Sequence, residues 1–220
     1  KLLVAIKYMN LFIYNKNIAV IFLGVVLTSI LITLSPAITL HYVDIDMAFF
    51  SILISHFIIV TLLYFLCLKK IAGCIIRIKS DSATIKLTSL LFLVIVFIQL
   101  AVYCYRDYFF HYESSHINWM VFIVLTLVVP YYEEIVYRVC AFGFLCTIYK
   151  KNLIIPCVLT SLFFCFMHFQ YYNALDQIVL FVVSVLLLMV RIKSQTPLYP
   201  MLMHSGMNAF VILLNIKITL

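Results

Sequence analysis

Residues 121–144 read VFIVLTLVVPYYEEIVYRVCAFGF, an apolar run that encloses Glu133, Glu134 and Arg138. In a soluble helix the pattern E-E-x-x-x-R carries no information. At bilayer depth each such charge costs about 2.5–3.5 kcal/mol even on the lenient insertion scales, so an ionisable group there needs a reason. What the three charges mean therefore depends on whether this stretch lies in a membrane. Of the 220 residues, 66% are hydrophobic and 10% charged, against roughly half and a quarter in soluble domains. That composition excludes a soluble globular domain, and it excludes disorder, which needs low hydrophobicity and high net charge. With 4 Gly and 5 Pro, the chain is neither collagenous nor linker-like.

Outward from this stretch the sequence is a series of apolar runs near the 20 or so residues that a membrane helix needs. They lie near 17–35, 48–68, 87–105, 153–170, 174–192 and 197–216. The stretch 118–148 is long for one span and short for two, and Pro130 interrupts it; we read it as one bent crossing. The expectation is an all-α polytopic transmembrane helical bundle of about seven membrane helices, or eight if 118–148 crosses twice. Loop charges favour seven. Lys1, Lys7 and Lys16, then Lys69, Lys70, Arg77, Lys79 and Lys86, then Lys150 and Lys151, then Arg191 and Lys193 fall on one side. By the positive-inside rule that side, and the N-terminus, is cytoplasmic. The net charge of +7 thus reflects membrane topology and not a nucleic-acid surface. The first apolar run has no small-residue cleavage site, so no removable signal peptide is expected. Residues 1–14 suit a short interfacial helix, with Lys1 and Lys7 in the headgroups. The seven Cys, with no C-x-x-C pair and mostly within apolar runs, do not suggest a disulfide framework. One integral membrane domain, 1–220, is the economical organisation.

Few ionisable groups lie away from the ends of these runs, and we single out Glu133, Glu134, Arg138, His168 in SLFFCFMHF, His204 in YPMLMHSGMNAF and His56 in ILISHFIIV. Glu134 and Arg138 are four apart, so on a helix they share a face and can pair. Glu133 points about 100° away and cannot share that Arg in the same geometry. His56 has no polar companion and is read as structural. Asn208 lies one turn after His204, on the same face. Taken together, Glu133, His168, His204 and Asn208 are what an active site in a buried cavity requires. A carboxylate and an imidazole can hold and deprotonate a water, while a second His and an Asn amide donate to a developing oxyanion. That chemistry suits peptide hydrolysis.

The order E-E-x-x-x-R (Glu133, Glu134, Arg138), F-x-x-x-H (Phe164, His168), H-x-x-x-N (His204, Asn208) resembles the CPBP intramembrane proteases. These include the type II CAAX prenyl endopeptidases and the bacterial Abi and bacteriocin self-immunity proteins. The resemblance covers about Trp119 to Leu214, a catalytic core of 119–214. It implies that Glu133 and His168 activate the water, that His204 and Asn208 form the oxyanion site, and that Glu134 and Arg138 support them. It further implies a peptide or membrane-protein substrate and a bacterial cytoplasmic membrane. One departure is Val139, where the family often has a small residue after the Arg.

A metal is the open point, because Glu133, His168 and His204 would in principle ligate zinc or another divalent ion. There is no H-E-x-x-H pair, and Asn is an unusual zinc ligand. A route with no cofactor, in which Glu133 is the general base, is the leading expectation. The alternatives from other classes are a non-catalytic immunity or scaffold protein that binds a partner through its helices, and a proton-coupled transporter. Substrate identity and oligomeric state are not written in these residues.

Overall fold

The computed structural model describes residues 16–34, 45–71, 73–79, 81–110, 115–117, 119–150, 152–168, 171 and 173–218. The expected interfacial helix at 1–14 lies outside them. Among the described residues seven long helical segments follow one another: α1 (Lys16–Leu34), α2 (Ile45–Leu66), α3 (Ser82–Phe110), α4 (Trp119–Ile148), α5 (Ile154–Met167), α6 (Ala174–Ser194) and α7 (Leu198–Asn215). A three-residue parallel ladder pairs β1 (Ser115–Ile117) with β2 (Ile216–Ile218), Ser115 opposite Ile216. Among the described residues the fold is otherwise all-helical.

Burial is inverted relative to a water-soluble protein. Large apolar side chains such as Leu23, Leu62, Phe97 and Phe166 are exposed, whereas Glu134, Arg138, Thr84 and Ser184 are buried. Lipid solvates the first group, and polar groups must be satisfied inside. The segments Met47–Lys70, Ser82–Phe109, Trp119–Ile148 and Ala174–Ser194 are long and apolar enough to cross a membrane. The chain is an integral membrane protein.

Helix ends follow local chemistry. Asp81 caps α3, accepting from the Ala83 N–H at 3.2 Å and from the Thr84 hydroxyl at 2.7 Å. The helix therefore starts before the apolar run expected at 87. The Thr84 hydroxyl is the main cause holding the Asp81 carboxyl below its usual range, with the Ala83 and Thr84 N–H groups adding to it. Asn152 accepts from Ile154 and Ile155 and starts α5, leaving Pro156 in the first turn, where a missing N–H costs nothing. Asn173 likewise accepts from Leu175 to start α6, which carries Asp176 in its first turn and Arg191 and Lys193 in its last. Thr196 accepts from Leu198 at the start of α7, with Pro200 in that first turn.

α5 differs from expectation. Fourteen residues long, it rises about 21 Å and does not by itself match a hydrocarbon core of about 30 Å. It ends because the His168 N–H closes back three residues onto the Cys165 carbonyl at 2.9 Å and the Tyr171 N–H returns to His168 at 3.1 Å. His168 therefore sits in the turn after a short helix, not within a full span at 153–170.

The chain forms two compact units, Lys1–Ile76 with Tyr131–Thr160, and Arg77–Pro130 with Ser161–Leu220. In the first, α1 and α2 pack against the second half of α4, with the Phe22 and Phe144 rings stacked at 4.9 Å and Phe57 against Tyr131 at 5.4 Å. The Tyr64 hydroxyl accepts from the Ile76 N–H at 3.0 Å. In the second unit Leu91 and Ile95 of α3, Val183, Leu187 and Val190 of α6, and Met203 and Met207 of α7 form one apolar interior. An ion pair joins Arg106 of α3 to Asp176 of α6. The Tyr199 hydroxyl holds the segment before α3, donating to the Lys79 carbonyl and accepting from its N–H.

Gly206 lets α7 approach α3 closely, since a Cβ there would lie 2.9 Å from the Phe92 ring. Such close contacts are typical of small residues between membrane helices. Gly206→Val is expected to destabilise the protein by about 1–3 kcal/mol, the usual range for overpacking, with thermal unfolding in detergent as the measurement. Asp81→Ala should lower the unfolding temperature at neutral pH. Because the folded carboxyl titrates low, the deficit should persist above the ordinary carboxylate range and close as pH falls through the lowered value.

Candidate active site

α4 is a single helix, but not a uniform one. Residues Val124–Val128 and Ile135–Ala141 are π-helical, and VPYYEE lies between them in α geometry. The Val129 N–H reaches back five residues to the Val124 carbonyl, and that of Phe142 reaches Tyr137. Such insertions shift the helical register and often mark functional positions. Here they bracket both glutamates.

Within the first unit, Glu133 is buried, and Glu134 and Arg138 are fully inaccessible. Arg138 Nη1 lies 3.2 Å from Glu134 Oε1, across one turn, and the guanidinium stands 5.8 Å from the Tyr137 ring. The acid that pairs with Arg138 in an i, i+4 bridge is therefore Glu134, as its spacing suggests. His56, read as structural, donates from Nδ1 to the Ile52 carbonyl at 3.0 Å and stacks on Tyr132 at 5.6 Å, beside Glu133 in sequence.

Within the second unit, both other histidines meet the ring of Phe164. His168 lies 4.3 Å from its centroid and His204 6.2 Å, the latter edge-on. His168 Nδ1 is 2.7 Å from the Phe164 carbonyl. A carbonyl only accepts, so Nδ1 donates the hydrogen of this bond. Gln177 holds the turn around His168, its amide donating to the His168 carbonyl at 3.2 Å and to that of Tyr171 at 2.8 Å. His204 is 3% exposed. Asn208, one turn later, donates from Nδ2 to the Leu125 carbonyl of α4 at 2.8 Å.

Sequence reading did not find Gln177, the Leu125 carbonyl or the double contact of Phe164. Gln177 looks like any polar residue near a helix start, and a backbone acceptor leaves no side-chain signature. Zinc takes carboxylate oxygen and histidine nitrogen, the donors that Glu133, His168 and His204 offer in kind. Among the described residues no three His, Cys, Asp or Glu side chains stand close enough together to hold a metal ion.

The Glu134–Arg138 pair sets a stability test. Removing one partner leaves the other charge buried, at a cost on the order of 3–5 kcal/mol, whereas replacing both with apolar residues is often neutral. Arg138→Met is expected to collapse the yield of folded protein, and the double substitution with Glu134→Leu to restore it. The readout is size-exclusion recovery and thermal unfolding of the purified protein.

Residues 115–210 match the family model described as type II CAAX prenyl endopeptidase Rce1-like. No curated protein and no solved structure gave a significant match to the chain. The matched stretch holds Glu133, Glu134, Arg138, Phe164, His168, His204 and Asn208, and over these residues the chain is similar to the Rce1-like type II CAAX prenyl endopeptidases.

Proposed function

We propose that the chain is an intramembrane endopeptidase that hydrolyses a bond in a peptide or a membrane-associated protein. Glu133 and His168 activate the water, and His204 and Asn208 stabilise the oxyanion. The observation that carries the reading is the Rce1-like domain at 115–210, together with a second, buried glutamate beside the one that pairs with Arg138. A carboxylate used only to neutralise the arginine would not need that neighbour.

In this mechanism Glu133 takes a proton from the water as its oxygen attacks the scissile carbonyl carbon. The tetrahedral oxyanion receives hydrogen bonds from His204 and Asn208. Its collapse breaks the C–N bond, and the proton held by Glu133 passes to the leaving amine. His168, with its lone pair on Nε2, accepts from the same water and orients it. Glu134 and Arg138 keep that part of α4 neutral and in place. This route needs no metal. The reading includes an N-terminus in the cytoplasm of a bacterial cell, supported by the alternation of basic loops.

The test uses purified protein in detergent with a degenerate library of internally quenched peptides, with and without chelator. Glu133→Gln is expected to lower kcat by about 10²–10⁴-fold, the usual contribution of a general base, with unchanged yield and with no effect of chelator on the wild type. No release by either would identify a non-catalytic immunity or scaffold protein, and equal release by wild type and Glu133→Gln would remove Glu133 as the general base. Loss of activity on chelation would replace the metal-free route with a metal-bound one.

A further inference from the structure

The bond from Asn208 to Leu125 has a cause in the backbone of α4. In the π register set by the Val129 N–H on the Val124 carbonyl, the next carbonyl, that of Leu125, looks to the N–H of residue 130. Residue 130 is Pro and has none. If the helix instead returns to α register at this point, Thr126 loses the same donor. The nearest hydroxyl does not serve Leu125, because Thr126 Oγ1 turns back to the Phe122 carbonyl at 2.7 Å. Asn208 Nδ2 comes across from α7 to the Leu125 carbonyl at 2.8 Å. In hydrocarbon a carbonyl without a donor is costly, so the side-chain amide is held there firmly.

We propose that Pro130 is a positioning residue for the Asn208 amide. By withholding an N–H it leaves the Leu125 carbonyl to accept one of the two hydrogens on Nδ2. That bond fixes the plane of the amide and aims the second hydrogen for the oxyanion. The inference rests on the oxyanion role given to Asn208 above, and adds a device that sets its orientation before substrate arrives. Preorganised donors of this kind lose effect quickly when they are free to rotate.

Pro130→Ala and Pro130→Val both return an N–H that competes with Asn208 for the carbonyl. Proline is ordinarily unfavourable within a helix, so either change should leave the unfolding temperature unchanged or higher. The measurement is kcat and KM on one library peptide that the wild type cleaves, alongside thermal unfolding, with Glu133→Gln as the inactive control. The expected result is a fall in kcat of about tenfold in both variants, part of the ~10²–10³ that loss of a whole oxyanion donor costs, with KM within about twofold. An unchanged kcat would overturn the proposal. So would kcat falling together with the unfolding temperature or the yield of folded protein, which would make Pro130 a packing residue. If the wild type and Glu133→Gln do not differ, the general-base role given to Glu133 has itself failed.

Discussion

A polar group inside a bilayer has no water to return to, and that constraint organises this protein. Every charge, amide and carbonyl that the helices bury must find its partner within the protein. Glu134 and Arg138 meet the constraint as a pair across one turn. The Leu125 carbonyl meets it through a side chain from another helix. The exterior can then be almost wholly apolar, and a few polar residues can stay inside at tolerable cost.

The same constraint links structure to chemistry. Under the proposed mechanism, a buried glutamate next in sequence to the one bridged to Arg138 carries the proton during the reaction. His168 has one nitrogen bonded to a backbone carbonyl, that of Phe164. Asn208 likewise has its amide engaged by backbone. For both residues a main-chain carbonyl fixes the side chain, so their orientation comes from the helix backbone and its irregularities.

Much of this was legible in the sequence. The apolar runs coincide with the seven helical segments among the described residues, and the stretch 118–148 holds a single helix, Trp119–Ile148. The i, i+4 spacing of Glu134 and Arg138 was enough to pair them. Less legible were features that depend on hydrogen bonds outside the helical repeat. The apolar run at 153–170 hides a helix that stops at Met167, because the turn that ends it is closed by backbone hydrogen bonds and carries no Pro or Gly. Pro130 showed that α4 must deviate. The form of the deviation, a π turn and a carbonyl served from α7, depends on which side chain is near enough to help. The β1–β2 ladder joins residues about a hundred positions apart, and three-residue strands carry no periodic signal.

The central claim is that Glu133 activates a water for attack on a peptide carbonyl. Its most direct test is peptide cleavage in ¹⁸O-labelled water by purified wild type and Glu133→Gln, with mass spectrometry of the new C-terminal carboxyl group. Wild-type product should carry a single solvent-derived ¹⁸O at each cleaved bond, at a rate that Glu133→Gln reduces by orders of magnitude. Labelled product formed equally fast by Glu133→Gln, or cleavage without label, would contradict the account.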